Sequence, residues 1–267
     1  MTTGHGLRSE GGGRRGSLVL RFQRSERWLH WALAVPYVVC LLSATVLIVF
    51  FNFSPERPHR EVVSWVHRAG GLGLIVLPLL ALVGTPREIG THFRNVRQAW
   101  GWTLNDLKWL ALLGVAAVNR RVRLPEQGKF NAGEKLNFMA VMTSYPLFIM
   151  TGILIWLPGV ALLSWVVHVL LALAVAPLVV GHVYMAVVNP GTRAGLKGMV
   201  TGYVDREWAK EHYRQWYRDS FGDHDLPPAE NEGTGETGTP THSGAAVHQN
   251  GARPFLQPGI VGDGTGR

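Results

Sequence analysis

The chain has 267 residues, of which 47% are hydrophobic and only 16% are charged, and its formal net charge is +8. Its mean hydropathy is slightly positive, at +0.10. The apolar residues are gathered into long uncharged runs, and a run of about 20 is long enough to cross a bilayer as a helix. This pattern excludes a soluble globular enzyme, and it excludes a β-barrel, whose segments are shorter and alternating.

The single cysteine, Cys40, limits the chemistry that the chain can carry. One cysteine cannot build a disulfide framework, a cysteine-based zinc site or a protein-held iron–sulfur cluster. The sequence also has no C-x-x-C-H motif and no Walker A loop. These absences argue against a covalently attached c-type haem and against an ATP-driven pump.

Four runs predict the membrane-spanning helices in chain order. Residues 29–51 contain no Asp, Glu, Lys or Arg, and residues 62–83 contain one such residue, Arg68. The third and fourth runs, 138–156 and 160–188, contain none. We therefore expect an all-α integral membrane protein whose four transmembrane helices form a bundle.

The basic residues indicate how this bundle is oriented. Arginine and lysine are abundant before the first span, between the second and third spans, and after the fourth. The turn between the first two spans has only Arg57 and Arg60, offset by Glu56 and Glu61. The positive-inside rule therefore places both termini and the long middle loop in the cytoplasm. We expect a multi-pass protein of the inner (plasma) membrane, whose positive charge contacts membrane lipid and not nucleic acid.

The segments outside the spans differ from them in composition. Residues 1–20 are an extension rich in Gly and Arg, and residues 222–267 form a polar tail; we expect both to be disordered. Residues 21–221 would form the membrane domain. Within its middle loop, the apolar stretch 107–118 is too short to span and predicts an interfacial or cytoplasmic amphipathic helix.

Four of the eleven histidines lie within the predicted spans: His30, His67, His168 and His182. An ionisable side chain in a membrane is costly and by default faces the bundle interior. By chain direction, His30 and His182 lie at cytoplasmic depth, and His67 and His168 lie near the outer face. His168 and His182 are separated by about 21 Å along the helix axis. The rotation about that axis from one to the other is only about 40° less than four full turns. The fourth helix therefore presents two imidazoles on one face, each with one partner of like depth.

Two stacked histidine pairs suit two bis-histidine haems held between the helices of a bundle. Zinc is a weaker alternative, because each level would need further ligands and the spans offer none. A proton-relay transporter is another alternative, although transporters normally have more helices. Each histidine could also simply bond to a neighbouring helix.

Several motifs beside these histidines carry a resemblance to a known family. They are ERWLHW (26–31), GKFNAGEK (128–135), TGILIW (151–156), GHVYMAVV (181–188), KGMVTG (197–202) and REWAKEHYRQWYRD (206–219). Over about residues 20–220, the chain resembles the cytochrome b (gamma) subunit of membrane-bound respiratory formate dehydrogenase. The GKFNAGEK block and the REWAKEHYRQWYRD motif are specific to that subunit, whereas the histidine spacing also occurs in related hydrogenase and thiosulfate-reductase cytochromes.

The resemblance implies a subunit with two b-type haems, ligated by His67 and His168 on the outer side and by His30 and His182 on the inner side. Its implied partners are an iron–sulfur (beta) subunit and a molybdenum or tungsten catalytic (alpha) subunit at the outer face. Electrons would pass through the haems to a quinone near the cytoplasm, and formate would not be oxidised on this chain. The rival interpretations are a dihaem subunit of a hydrogenase or another oxidoreductase, and a haem-free anchor or small transporter.

The resemblance also implies a quinone pocket formed partly by Asn131, Ala132 and Gly133. Asn131 offers both a donor and an acceptor to a quinone carbonyl. Glu134 follows where the family often has glutamine, and it could pass protons or simply begin a helix as a solvated carboxylate. His182, as a ligand of the inner haem, would touch the quinone.

Arg68 stands beside His67 near the outer end of the second span. It could pair with a haem propionate, because arginine binds carboxylates bidentately. It could equally snorkel to the membrane interface.

Overall fold

The protein is described by a computed structural model that covers residues 18–51, 57–119 and 121–222. Residues 1–17 of the predicted extension and the predicted tail beyond residue 222 lie outside the described residues. The helices are α1 (Arg24–Thr45), α2 (Arg60–Gly84), α3 (Ile89–Trp100), α4 (Leu104–Val118), α5 (Ala132–Leu154), α6 (Ala161–Val183), α7 (Ala194–Thr201), α8 (Arg206–His212) and α9 (Arg214–Phe221). The strands are β1 (Leu18–Leu20) and β2 (Tyr203–Asp205).

Four of these helices are long and apolar enough to cross a membrane, which confirms the four predicted spans. π-Helical turns extend α1 through Val46–Phe50 and α6 through Tyr184–Val188. Helices α1 and α5 begin at Arg24 and Ala132, before the apolar runs that predicted them. Polar caps explain the earlier starts, as at α5, where the Asn131 side chain accepts a hydrogen bond from the backbone N–H of Glu134.

The four long helices pack as two hairpins, α1 with α2 and α5 with α6, while contacts between the hairpins are sparse. Glycine allows the close approach of α1 and α2. A Cβ added at Gly70 would lie 2.8 Å from Cys40 Sγ, and one at Gly73 would lie 3.2 Å from Pro36 Cβ. The bundle is therefore tight within each hairpin and open between them.

The middle loop contains two helices, α3 and α4. Helix α4 includes the apolar stretch that predicted a helix at 107–118, whereas α3 was not predicted. A buried ion pair between Lys135 and Asp106, 2.9 Å apart, joins α4 to the start of α5. Lys135 also donates to the carbonyl of Gly101 at 2.9 Å. The loop is thus folded against the end of the bundle that carries GKFNAGEK.

A short antiparallel sheet departs from the expected all-α class. Strands β1 and β2 pair in the register Leu18↔Asp205, Val19↔Val204 and Leu20↔Tyr203. Residues 18–20, which were assigned to the disordered extension, are therefore ordered. Their partner lies far away in sequence, and local periodicity gives no signal for such pairing. Buried Val19 and Val204 form a small core with Ala209 and Tyr217, which joins β1 to the segment after α6.

Candidate haem sites

The structure brings the four membrane histidines together in two pairs. The ring centroids of His67 on α2 and His168 on α6 are 6.2 Å apart. Those of His30 on α1 and His182 on α6 are 6.3 Å apart. These are the pairs that depth in the membrane predicted, and α6 contributes one imidazole to each.

These separations leave room for one iron between the rings of each pair. A bond between a metal and an imidazole nitrogen is about 2 Å long, and the ring centre lies roughly an ångström behind that nitrogen. Two imidazoles on opposite sides of one iron therefore have centroids about 6 Å apart. Both observed distances agree with this value.

Hydrogen bonds at the outer pair fix which nitrogen of each ring is protonated. His67 Nδ1 lies 3.1 Å from the carbonyl oxygen of Cys40, which can only accept. Ser43 Oγ also lies 3.0 Å from this nitrogen. Nδ1 must therefore carry the proton, which leaves the Nε2 lone pair of His67 for a metal.

His168 is oriented in the same way by a residue on α5. Its Nδ1 lies 2.8 Å from Thr151 Oγ1. The Thr151 hydroxyl donates its only hydrogen to the carbonyl of Leu147 at 2.6 Å, so it accepts from the imidazole. In the neutral imidazole this leaves the Nε2 lone pair of His168 for a metal as well, so the pair can present two metal-binding nitrogens.

The inner pair is positioned by its helices. His30 packs edge-on against Trp31, with ring centroids 5.3 Å apart. Trp31 Nε1 donates to the carbonyl of Met199 on α7 at 3.2 Å, which ties the start of α1 to the segment after α6.

Space for a cofactor lies beside the outer pair. Gly71 follows His67 by four residues and shares its helix face, and a Cβ built there would meet no atom within 4 Å. On the opposite hairpin, a Cβ at Gly152 would come within 3.6 Å of His168 Cε1. The gap between the hairpins and these small residues fit a flat macrocycle held by both rings.

Comparison with known proteins decides the family. The family model of prokaryotic cytochrome b561 matches residues 21–202. The chain belongs to the prokaryotic cytochrome b561 family. Membership implies b-type haem, so the paired imidazoles of this cytochrome b561 are the residues that fit such a cofactor. The family and the four apolar helices both confirm the prediction of a multi-pass membrane protein.

Individual relatives of this cytochrome b561 support the resemblance seen in its motifs. It is 25% identical over 213 residues to the cytochrome b556 subunit of the nitrate-inducible formate dehydrogenase of Escherichia coli K12, covering 76% of this chain and 91% of the relative. A second E. coli K12 formate dehydrogenase cytochrome b556 subunit is 27% identical over 217 residues, covering 77% and 95%. The Haemophilus influenzae formate dehydrogenase cytochrome b556 subunit is 26% identical over 212 residues, covering 75% and 83%.

Arg68 of this cytochrome b561 is exposed and lies between aromatic rings. Its guanidinium carbon is 4.8 Å from the Trp65 ring centroid and 5.2 Å from that of Trp156. These contacts are cation–π interactions at the end of the bundle that holds the outer pair. Pairing of Arg68 with a haem propionate stays a prediction.

The residues predicted for a quinone pocket lie at the start of α5. Asn131 Oδ1 accepts from the Glu134 N–H at 2.9 Å, and a Glu134 carboxylate oxygen accepts from the Asn131 N–H at 2.9 Å. A Cβ on Gly133 would lie 3.6 Å from the Trp109 ring. Because α5 and α6 pack as a hairpin, the start of α5 lies at the same end of the bundle as His182, which is near the end of α6. The structure thus gathers these residues near the inner histidine pair, and it uses Asn131 and Glu134 as a helix cap.

A buried charged network near the start of α1 was missed from the sequence. Lys129 Nζ lies 2.5 Å from Glu26 Oε1 and 2.8 Å from Asn95 Oδ1. Burial lowers the pKa of Lys129, and the Glu26 carboxylate partly restores it. Lys129 lies inside the quoted GKFNAGEK block, and Glu26 opens ERWLHW, but their separation in sequence hides the contact.

Proposed function

We propose that this chain is the quinone-reactive dihaem cytochrome b subunit of a formate dehydrogenase complex in the inner membrane. The observation that carries the proposal is the pair of histidine sites joined by α6, whose levels are about 21 Å apart by helix rise. The names of the relatives support the formate dehydrogenase assignment.

The chain's own residues would hold and insulate the cofactors. His67 and His168 would ligate the outer haem, and His30 and His182 the inner one, while the lipid-facing apolar helices keep water away. When bound, the two haems supply one-electron transfer across the membrane. Both termini and the loop with α3 and α4 would be cytoplasmic by the positive-inside rule.

The proposed partners are an iron–sulfur (beta) subunit and a molybdenum or tungsten (alpha) subunit at the outer face. Electrons would enter at the level of His67 and His168 and leave at the level of His30 and His182. Inward movement of negative charge helps to build the membrane potential, at about 2.3 kcal/mol per elementary charge per 100 mV.

Quinone would be reduced beside Asn131, Gly133, Glu134 and His182, at the cytoplasmic end of the bundle. The start of α5 lies beside the end of α6 that carries His182, and this supports the location. Gly133 would let the quinone ring approach the backbone, and protons would come from the cytoplasmic side. Glu134 would pass them, which is compatible with its role in the helix cap.

The test of this function is the reduced-minus-oxidised visible spectrum of the purified protein. Two b-type haems per chain are expected, and a spectrum without haem would favour a membrane anchor or small transporter. Membranes containing the complex are then given formate or hydrogen. Reduction of the haems by formate supports formate dehydrogenase, whereas reduction by hydrogen alone would identify a hydrogenase subunit.

A further inference from the structure

The segment after α6 is clamped onto the loop that leads into α5. Arg214 pairs with Glu126 at 3.2 Å, and the Trp216 N–H donates to the carbonyl of Gln127 at 3.5 Å. Gln127 Oε1 in turn accepts from the backbone N–H of Ala132 at 3.0 Å. Helices α8 and α9 therefore help to define where α5 begins.

Tyr213, between α8 and α9, makes the most direct of these contacts. Its side chain is 5% exposed, and its hydroxyl donates to Glu134 Oε1 at 2.7 Å. The other carboxylate oxygen, Oε2, accepts from the Asn131 N–H. One oxygen of Glu134 is thus held by the helix cap and the other by Tyr213.

The Tyr213 ring is itself held in place. The guanidinium carbon of Arg21 lies 3.4 Å from its centroid, and Arg21 is 4% exposed. Arg21 Nη2 donates to the carbonyl of Lys129 at 2.8 Å, and the Trp208 ring lies 5.5 Å from the tyrosine ring. Arg21 and Trp208 thus hold the ring, and its hydroxyl, which donates to Glu134, also accepts from Asn131 Nδ2 at 3.5 Å.

Burial and the neighbouring Glu134 carboxylate raise the pKa of Tyr213 well above its ordinary value. The phenol therefore stays protonated at physiological pH. It is a permanent hydrogen-bond donor and does not act by ionising.

We infer that Tyr213 is a positioning residue that orients the Glu134 carboxylate at the quinone site. The inference rests on the proposed function, since it assigns a task at the pocket proposed there. Without the hydroxyl, Oε1 would lose its donor and the carboxylate could turn away from the place where quinone reacts. The REWAKEHYRQWYRD motif would thereby position a residue of the quinone pocket as well as stabilise the fold.

The experiment measures electron transfer from the haems to quinone in the purified full-length protein. Haems are reduced with dithionite and mixed with decylubiquinone or menadione, and their reoxidation is followed by stopped flow. We expect Tyr213→Phe to slow reoxidation about tenfold or more, as for loss of a hydrogen bond to a charged group. Menadione affinity, from quenching of tryptophan fluorescence, should weaken in the same variant, while haem content and haem potentials stay unchanged.

Tyr217→Phe is the matched control. Tyr217 is a fully buried tyrosine of α9, and its hydroxyl accepts from Arg206 Nη1 at 2.8 Å. Among the described residues it makes no bond to Glu134. We expect normal reoxidation and normal menadione affinity in this variant. If reoxidation and menadione affinity fall equally in both variants, Tyr213 only stabilises the α8–α9 segment, and the inference is overturned.

A double-mutant cycle separates this inference from the proposed function. In the Glu134→Gln background, Tyr213→Phe should cause no further slowing, because its effect passes through Glu134. If Glu134→Gln is slow but Tyr213→Phe is normal, or if their effects add, the role of Tyr213 is wrong and the pocket stands. If Glu134→Gln reacts normally with quinone, the pocket itself is wrong and the inference falls with it.

Discussion

His168 donates through Nδ1 to Thr151 Oγ1 at 2.8 Å, and this bond leaves the other ring nitrogen free for a metal. The threonine lies on α5 and the histidine on α6, so the bond joins the two helices of one hairpin at the level of the outer site. Thr151 is 3% exposed, and its own hydrogen is committed to Leu147. The orientation of the proposed haem ligand is therefore set by a neutral residue.

The first prediction concerns Thr151→Val, which keeps the shape and removes the acceptor. Loss of such a partner typically costs about 10–100-fold in metal affinity. We expect the outer haem to dissociate more readily during dialysis, with the inner haem retained. Thr143→Val on the same helix is the control, because the Thr143 hydroxyl bonds to the backbone carbonyls of Met139 and Ala140. Equal haem retention in the two variants would contradict the orienting role.

The second prediction concerns the haem ligands. His67→Ala or His168→Ala should remove the outer haem and leave the inner one, because in the proposed function each pair would share one iron. His30→Ala or His182→Ala should do the reverse, and redox titration of the visible spectrum distinguishes the two losses. His212→Ala, outside the spans, should keep both haems. If an outer-pair change removes the inner haem alone, the pairing is wrong.

The third prediction concerns the space beside His67. A Cβ at Gly71 would meet no atom within 4 Å beyond its own helix backbone, so we expect Gly71→Leu to leave the folded polypeptide intact. If a haem fills that space, leucine will block it, and the outer haem should be lost. The control is Gly114→Leu on α4, where a Cβ is equally unobstructed. Normal loading of the outer haem in Gly71→Leu would show that the glycine faces lipid.

The fourth prediction concerns the buried pair of Glu26 and Lys129. Glu26→Gln leaves a buried ammonium without its counter-charge, and breaking such a pair costs about 3–5 kcal/mol. We expect a lower melting temperature in detergent. Glu207→Gln is the control, since Glu207 is 74% exposed in its pair with Lys210 and such surface pairs are worth about 0–1 kcal/mol.

The loss of stability caused by Glu26→Gln should depend on pH, and the direction follows from the lowered pKa of Lys129. We call this loss of stability the deficit. Burial lowers the pKa of Lys129, and Glu26 opposes this, so the substitution lowers the pKa further. The deficit is largest at pH values where Lys129 must stay charged in the folded protein. It should shrink as pH rises through the pKa of Lys129, because a neutral amine needs no counter-charge. A deficit that grows with pH would contradict this assignment.

The two histidine pairs could be predicted because their arrangement depends on short-range geometry. A helix rises by a constant amount per residue, so the depths of His30, His67, His168 and His182 follow from chain direction alone. Their hydrogen-bond partners could not be predicted. Thr151 lies at the start of the quoted TGILIW motif, but only the packing of α5 against α6 shows that it bonds to His168.

By itself, the sequence determined the number of spans, the four histidines within them and the family resemblance, because apolar runs and motifs are local properties of the chain. Only the tertiary structure decided the pairing of β1 with β2, the contact of Glu26 with Lys129 and the bond from Tyr213 to Glu134. Each joins residues far apart in sequence, where no periodicity relates the partners. Such contacts form because buried polar groups must find partners once the helices have packed.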